Sequence, residues 1–257
     1  MKTENKKRNI ETAGMRVFTL LAVLLTMAAM AEPVDSLLSR AEYLFFNRHL
    51  APGNLDSAYA LIAECRQLEP ENQQSLYLWS RIHVQKGDDA RKKADRIRLY
   101  DRAKVIAESL KTLNPDNPDG WMWWAVAEGR IGQVRGVLNS LFMVPSLKQS
   151  FSRVLELDSG YVTAYDAFGV LYYELPGLFG GNLAKSEEFL VKGLHLDPNY
   201  TVLRLDLAKV YMRRKQWQKA RDQLNLLIAT PNPTFPADCA FDDRPEAQQL
   251  LRQIEGK

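Results

Sequence analysis

The chain has few of the residues that build chemical sites. It contains two cysteines and three histidines in 257 residues, and His49, His83 and His195 lie far apart without metal-ligand spacing. The H-E-x-x-H, G-x-S-x-G, G-x-x-x-x-G-K-[ST] and G-x-G-x-x-G patterns do not occur in the sequence. We therefore expect no catalytic residues, no metal and no cofactor, and we predict a binding protein rather than an enzyme.

Long apolar runs are also scarce. The run from Val17 to Met30 has fourteen residues without a charge, which is too short to span a bilayer comfortably. The small residues Ala29 and Ala31 stand at the end of this run, and a basic stretch made of Lys2, Lys6, Lys7, Arg8 and Arg16 precedes it. These features predict a Sec-type signal peptide over residues 1–31, cleaved after Ala31. An uncleaved membrane anchor is the alternative, and translation from Met15 would also leave a charged start.

The net charge of +3 belongs to this leader. Removing residues 1–31 takes away five basic and two acidic side chains, so the remainder carries 29 of each. No cysteine lies near the cleavage site, so lipoprotein acylation is not expected. A neutral chain has no charge excess for nucleic acid. We predict an exported, periplasmic protein that is not a lipoprotein, with a single mature domain over residues 32–257.

The mature chain repeats one short phrase, which ends one apolar helix and precedes the next. Its copies are QLEPEN (67–72), TLNPDN (112–117), ELDSGY (156–161) and HLDPNY (195–200). From Pro70 through Pro115, Ser159 and Pro198 to Pro231, the spacings are 45, 44, 39 and 33 residues. A period in this range is typical of helix-turn-helix repeats, and we expect loop insertions to account for the excess over about 34 residues.

The last unit shows the repeat most clearly. Leu207 and Ala208, followed by Tyr211, reproduce the small-residue and aromatic signature of a first helix. One face of the second helix is formed by Trp217, Ala220, Leu224, Leu227 and Ile228. The small residue allows two helices to approach closely, and the aromatic ring fills the gap one turn later.

On these residues the chain resembles the tetratricopeptide-repeat family over nearly all of residues 32–257. The resemblance implies an all-α fold, a helical repeat solenoid of about five helix-turn-helix units with loop insertions. Segments 129–140 and 171–200 resemble the T-components associated with TRAP transporters. They are similar, more weakly, to eukaryotic regulators of microtubule dynamics, which share the P-x-x-x-G-G segment found at 176–181.

The T-component resemblance implies an oligomer, a trimer, that docks a periplasmic solute-binding subunit. It also implies that the oligomer holds or passes a hydrophobic small molecule. The alternative is a structural or assembly protein of an envelope complex that takes no small ligand. Both hypotheses place the function in protein interaction.

The resemblance also assigns inward-facing positions on the first helix of each repeat. These are Tyr77, Arg81, Met122, Val126, Asp166, Val170, Tyr173, Leu205, Lys209 and Met212. The mixture of apolar, aromatic and charged side chains suits a peptide segment or an amphiphilic small molecule. We take as candidate binding residues Tyr77, Arg81, Met122, Val126, Tyr173 and Lys209. The alternative is that Met122, Val126, Val170 and Leu205 pack between helices.

Two apolar insertions are further candidates for binding. One covers residues 137–146 and contains Phe142, and the other lies between Pro176 and Gly181 and contains Phe179. Large exposed apolar patches are uncommon on monomers, so we expect these loops to be buried against each other, a ligand or another subunit. We therefore predict that both border an apolar pocket. The polar, basic stretch 85–98 is better explained as a solvated helix extension, with an acidic partner as the alternative.

The three tryptophans Trp121, Trp123 and Trp124 form a cluster in the third unit. Adjacent helix positions lie about 100° apart, so the three rings cannot all face the core. We therefore expect one of them to reach the groove or a partner.

Cys65 and Cys239 would reach an oxidising compartment, where an even cysteine count favours a disulfide. A line of stacked repeats would hold them tens of ångströms apart, beyond the reach of a disulfide. We predict two free thiols unless the C-terminal tail folds back across the stack.

Overall fold

The computed structural model describes residues 32–257, apart from the side chains of residues 137–139. This part of the chain forms helices and turns without a strand, which confirms the predicted all-α class. The predicted signal peptide and its cleavage site at Ala31 lie outside the described residues. The helices are α1 (Val34–Phe46), α2 (Asn54–Leu68), α3 (Gln73–Asp89), α4 (Lys93–Leu113), α5 (Pro118–Arg135), α6 (Val137–Leu157), α7 (Val162–Glu174), α8 (Leu183–Leu196), α9 (Thr201–Arg213), α10 (Trp217–Ala229) and α11 (Arg244–Gln253).

Consecutive helices pack in five pairs, from α1 with α2 to α9 with α10. The predicted small positions lie in these contacts, since Ala41, Ser80, Ala125 and Ala208 are buried. A Cβ atom on Gly169 would lie 2.5 Å from the Leu190 side chain, so this pair of helices requires glycine there. The small residues therefore set the helix spacing within each repeat, as the sequence predicts.

The recurring phrase forms the turns between pairs. The side-chain oxygens of Asn114, Asp158 and Asp197 each accept a hydrogen bond from the backbone N–H two residues later, at 3.2, 2.8 and 2.9 Å. The side chains of Asn72 and Asn117 cap the helices that follow by accepting from backbone N–H groups of their first turns. The repetition in sequence is thus a repetition of turn chemistry.

The additional residues of the second and third pairs lengthen helices instead of forming loops. Helices α4 and α6 have 21 residues each. The prediction of a loop at residues 137–146 is wrong, because this stretch opens α6 directly after Gly136, whose φ is +102°. Helix α6 continues through Pro145. The polar stretch 85–98 extends α3 as predicted, but it does not continue as one helix, because α3 ends at Asp89 and α4 begins at Lys93.

The P-x-x-x-G-G segment forms a tight turn between α7 and α8. Residues Gly177–Phe179 make one turn of 3-10 helix, and Gly180 follows with a φ of +91°. The N–H of Gly181 donates to the Pro176 carbonyl at 3.1 Å, and a Cβ on Gly181 would lie 1.7 Å from the Leu175 carbonyl oxygen. Both glycines are therefore required by the geometry of the backbone.

The array closes on itself through residues 235–246, which we call the closing segment. The ring of Phe235 stacks on Phe46 of α1 with centroids 5.3 Å apart. The Arg48 guanidinium donates to Asp238 Oδ1 at 2.5 Å, with the Arg48 side chain only 5% exposed. Helix α11 packs on α10, so the last pair is covered as well. The predicted open line of repeats is replaced by an array whose two ends meet.

Cys65 and Cys239 are both buried and free. Burial raises the pKa of each thiol. We predicted free thiols on the assumption of an open stack. Both thiols are free here even though the C-terminal region folds back on α1.

Candidate binding cavity

The concave side of the array encloses a cavity of about 890 Å³. The first helices of all five pairs contribute to its wall, together with α6 and the closing segment. This agrees with the predicted lining by first helices. The volume is in the range of sites that hold most of a small ligand or several residues of a peptide.

Most of the candidate residues lie on this wall. The lining includes Arg81, Met122, Val126, Tyr173 and Lys209, and also Asp166, Val170 and Leu205 from the inward-facing set. Met122 and Leu205 are only 1% and 2% exposed, so they also pack between helices, as the alternative held.

Three further sequence candidates lie off the wall. Tyr77 stands behind it, where its hydroxyl accepts a hydrogen bond from Arg81 at 2.6 Å. Phe142 and Phe179 face solvent, with exposed fractions of 87% and 54%.

Both apolar insertions nevertheless reach the cavity through neighbouring side chains. Leu141, Met143 and Val144 contribute from the first, and Leu175 and Pro176 lie on the wall next to the second. Among the three clustered tryptophans, Trp123 lines the cavity and the other two are partly buried in the third pair. One tryptophan therefore reaches the groove, as predicted.

The wall is not uniformly apolar, because acidic side chains outnumber basic ones. The acidic members are Asp88, Asp89, Asp166, Glu174, Asp206, Asp238, Asp242, Asp243 and Glu246, against Arg81, Arg130 and Lys209. This excess was not predicted. Asp166 was found from the repeat register, but the acidic residues of the closing segment lie outside any repeat, so the register could not identify them.

Four carboxyl groups converge where α7, α9 and the C-terminal region meet, and we call Asp166, Asp206, Asp243 and Glu246 the acidic cluster. The Lys209 ammonium lies among them, 3.1 Å from Asp206 and 3.0 Å from Glu246. Burial acts to lower the pKa of Lys209, but these two carboxylates outweigh it and raise that pKa. The cluster thus already contains one primary ammonium group, that of Lys209.

The environment of Asp166, Asp206 and Asp243 favours their protonated forms. Burial and the neighbouring Asp206 raise the pKa of Asp166 well above its ordinary value, and the two carboxyls hydrogen-bond to each other. Burial also raises the pKa of Asp206, against the opposing effect of Lys209. Burial raises the pKa of Asp243 to about 7, although Thr201 Oγ1 donates to its Oδ2 at 2.6 Å.

A second part of the cavity wall is built around Arg81, which is 6% exposed. Five aromatic rings lie 4.6 to 5.5 Å from its guanidinium carbon, and we call them the ring cage: Phe45, Phe46, Tyr77, Trp123 and Phe235. Arg81 Nε is buried and has no hydrogen-bond partner. Because these rings come from α1, α3, α5 and the closing segment, Arg81 joins both ends of the array.

Within residues 32–257, no group of three or more His, Cys, Asp or Glu side chains is arranged to hold a metal ion. Among the described helices, none combines the length and apolar character needed to cross a membrane.

Comparison with known proteins matches two family models. The model for regulator of microtubule dynamics protein 1-3 matches residues 38–178, which is more than half of the chain. A tetratricopeptide-repeat model matches residues 180–233. Regulator of microtubule dynamics protein 1 from Bos taurus is 23% identical over 256 residues, covering 92% of this chain and 77% of the relative.

Solved structures show the same fold. A tetratricopeptide-repeat protein from Thermus thermophilus is 16% identical, with a TM-score of 0.62 over 83% of this chain and 98% of that one. The pilF protein of Pseudomonas aeruginosa is 14% identical, with a TM-score of 0.51 over 88% of this chain and 96% of that one. The predicted tetratricopeptide fold is confirmed.

Proposed function

Since the chain belongs to the family of regulator of microtubule dynamics proteins 1-3 and carries tetratricopeptide repeats, we propose that its central cavity holds a segment of a partner protein. Tetratricopeptide proteins generally bind protein partners and generally serve as scaffolds without catalytic activity. The observation that carries the proposal is a cavity of about 890 Å³ to which the first helices of all five pairs contribute. An extended peptide has the mixture of apolar and polar groups that such a wall can recognise.

Site-specific photo-cross-linking tests this proposal in the cells that make the protein. Gln133 and Glu174 lie on the cavity wall and are exposed, so each accepts a photoreactive side chain without disturbing the core. Asp222 on α10 is equally exposed and outside the wall, and it serves as the control. We expect the same partner protein to be cross-linked from both cavity positions and not from Asp222. Identical adducts from all three positions would contradict binding in the cavity.

We propose further that the protein is exported after cleavage at Ala31 and acts in the periplasm. The support is the basic and apolar leader and the small residues at the cleavage site. Cell fractionation with intact mass measurement tests it. A mature mass that begins at Glu32 in the periplasmic fraction is the expected result, and a full-length protein in the cytoplasm would contradict it.

The finer proposal is a T-component-like role, in which the protein docks a solute-binding subunit of a TRAP-type transporter and holds a hydrophobic ligand. Its support is the resemblance of segments 129–140 and 171–200, whereas the matching family is that of the regulators. Copurification of a solute-binding protein, together with mass spectrometry of extracted small molecules, tests it. Purification without either would favour the alternative of a structural assembly protein.

Exposed apolar side chains form a second candidate contact surface, separate from the cavity. Phe142 and Leu178 are 87% and 98% exposed, and Phe179 is 54% exposed. We propose that Phe142 and Phe179 contribute to an oligomer or partner contact. The variants Phe142→Asp and Phe179→Asp change exposed positions and so leave the fold intact. A smaller particle in light scattering is expected, and unchanged mass and partner content in both would contradict the contact.

A further inference from the structure

We infer that the partner segment presents a lysine or arginine side chain, flanked by apolar residues, to the acidic cluster in the cavity. This inference rests on the proposed function and names the chemistry of the segment that the cavity selects. It concerns the wall formed by α7, α9 and the C-terminal region, where no sequence motif pointed to a charged ligand.

The first argument is the balance of charge at the cluster. Four carboxyl groups face one internal cation, Lys209, whose Nζ lies 3.1 Å from Asp206 and 3.0 Å from Glu246. A carboxyl pair that shares one proton still leaves the group net negative beside Lys209. The contacts of Lys209 also show that this wall accommodates an ammonium group in direct contact.

The second argument is an unused acceptor. Asp166 Oδ1 is buried and has no hydrogen-bond partner among the described residues, and Asp166 lies on the cavity wall. A buried acceptor without a donor is unfavourable by an amount comparable to a lost hydrogen bond. The N–H groups of a ligand lysine or arginine would supply that donor after a small shift of the side chains that cover this oxygen.

The third argument excludes an anion as the main contact. Two of the three basic side chains of the wall are already paired with carboxylates, since Lys209 contacts Asp206 and Glu246, and Arg130 lies 3.3 Å from Asp88. The nine acidic side chains of the wall outnumber these three cations. Arg81 is enclosed by the ring cage. An acidic segment would therefore meet an excess of like charge, which is unfavourable at a recognition site.

The apolar part of the wall specifies the neighbours of the basic residue. Val170 follows Asp166 by one helical turn and is only partly buried, so apolar surface lies beside this carboxyl group. Val126, also partly buried, adds apolar surface on α5. The wall therefore fits a segment in which apolar side chains surround the cation.

Protonation of the cluster gives a signature for this binding. The raised pKa values of Asp166, Asp206 and Asp243 mean that these groups bind protons more strongly than ordinary carboxyl groups do. A bound cation favours the ionised forms, so binding releases protons and strengthens as pH rises. The groups that face Asp166, Asp206 and Asp243 are Thr201 and Lys209 on α9, Tyr200 directly before α9, Asp238 and Asp242 of the closing segment, and Glu246.

Selection from a random twelve-residue peptide library tests the inference without assuming a ligand. Three proteins are used as bait: the wild type, Asp166→Asn/Asp206→Asn, and a control of equal charge, Glu64→Gln/Asp101→Asn. Glu64 and Asp101 are exposed and outside the cavity wall. We expect the wild type and the control to enrich peptides with lysine or arginine beside apolar residues, and the cavity variant to lose that bias.

The outcomes separate the two levels of the proposal. If no peptide is enriched by the wild type, the proposed function fails. If peptides are enriched but carry no basic residue, or if the cavity variant keeps the same basic bias, only this inference fails. Calorimetry of a selected peptide on the wild type, in buffers of different ionisation enthalpy, needs no variant. Proton release and at least about tenfold tighter binding at pH 8 than at pH 6 are expected, and proton uptake would overturn the inference.

Discussion

Small side chains determine how closely the paired helices approach. Gly169 on α7 faces Leu190 on α8, and a Cβ at that position would lie 2.5 Å from the leucine side chain. Gly129 on α5 has more room, since its Cβ would make an ordinary 3.9 Å contact with Leu147. The two glycines therefore differ in what they do, although both lie within helices.

This difference predicts opposite effects of the same substitution. We expect Gly169→Ala to lower the free energy of unfolding by about 1–3 kcal/mol, because the added methyl group overlaps Leu190. We expect Gly129→Ala to raise it by about 0.5–1 kcal/mol through helix propensity. Urea denaturation followed by circular dichroism measures both. A stabilising Gly169→Ala would show that this helix contact is loose.

Asp243 predicts a pH dependence of stability. Burial raises its pKa to about 7 in the folded chain, and since this lies above the unfolded value, the stabilising effect is present in acid and lost as pH rises through 7. We expect the free energy of unfolding to fall by about 1 kcal/mol between pH 6 and pH 8. Asp243→Asn keeps an acceptor for Thr201 and flattens this fall, while Asp166 and Asp206 act in the same direction. Equal slopes in urea titrations of both proteins would contradict the assignment.

At the scale of helices and turns, local sequence patterns predict the structure well. Contacts between residues far apart in the sequence could not be predicted in this way. The repeated phrase and the small positions predict the five pairs, because caps, turns and close helix contacts depend on neighbouring residues. Residues 137–146 were predicted as a loop because their apolar composition does not by itself distinguish a loop from the first turns of a helix. The candidate wall could be predicted in part, since repeat register places Val126 and Lys209. The closing segment could not, because its contact with α1 joins residues about 190 positions apart, as for Arg48 and Asp238.

The contact between the closing segment and α1 predicts a remote effect. Phe235 stacks on Phe46 and lies edge-on to Tyr200 with centroids 5.1 Å apart. We expect Phe235→Ala to accelerate amide hydrogen exchange in α1 about tenfold, because the ring contacts that hold α1 are lost. Leu226→Ala, at a position that is 50% exposed, is the matched control and leaves α1 unchanged. Unchanged exchange in both variants would show that the closure contributes little to the stability of α1.

At the scale of the whole molecule, closure couples the ends of the array. In an open solenoid each repeat contacts only its neighbours, so the terminal repeats can unfold separately. Here Arg81 contacts rings from α1, α5 and the closing segment at once. Loss of either end therefore removes contacts from the other.

This coupling predicts cooperative unfolding. We expect urea transitions followed by far-UV circular dichroism and by tryptophan fluorescence to coincide, since Trp79, Trp123 and Trp217 report on the second, third and fifth pairs. In Phe235→Ala the two transitions are expected to separate. Separate transitions in the wild type would mean that the pairs unfold independently despite the closure.

The meeting of the two ends also restricts how such a protein can evolve. An open array tolerates the duplication or deletion of a unit, because the new interface copies an old one. In this chain an additional repeat would separate Phe235 from Phe46 and Arg48 from Asp238, so both contacts would be lost. The number of repeats is therefore constrained by the closure, and new binding preferences are expected to arise by substitution on the cavity wall and not by a change in repeat number.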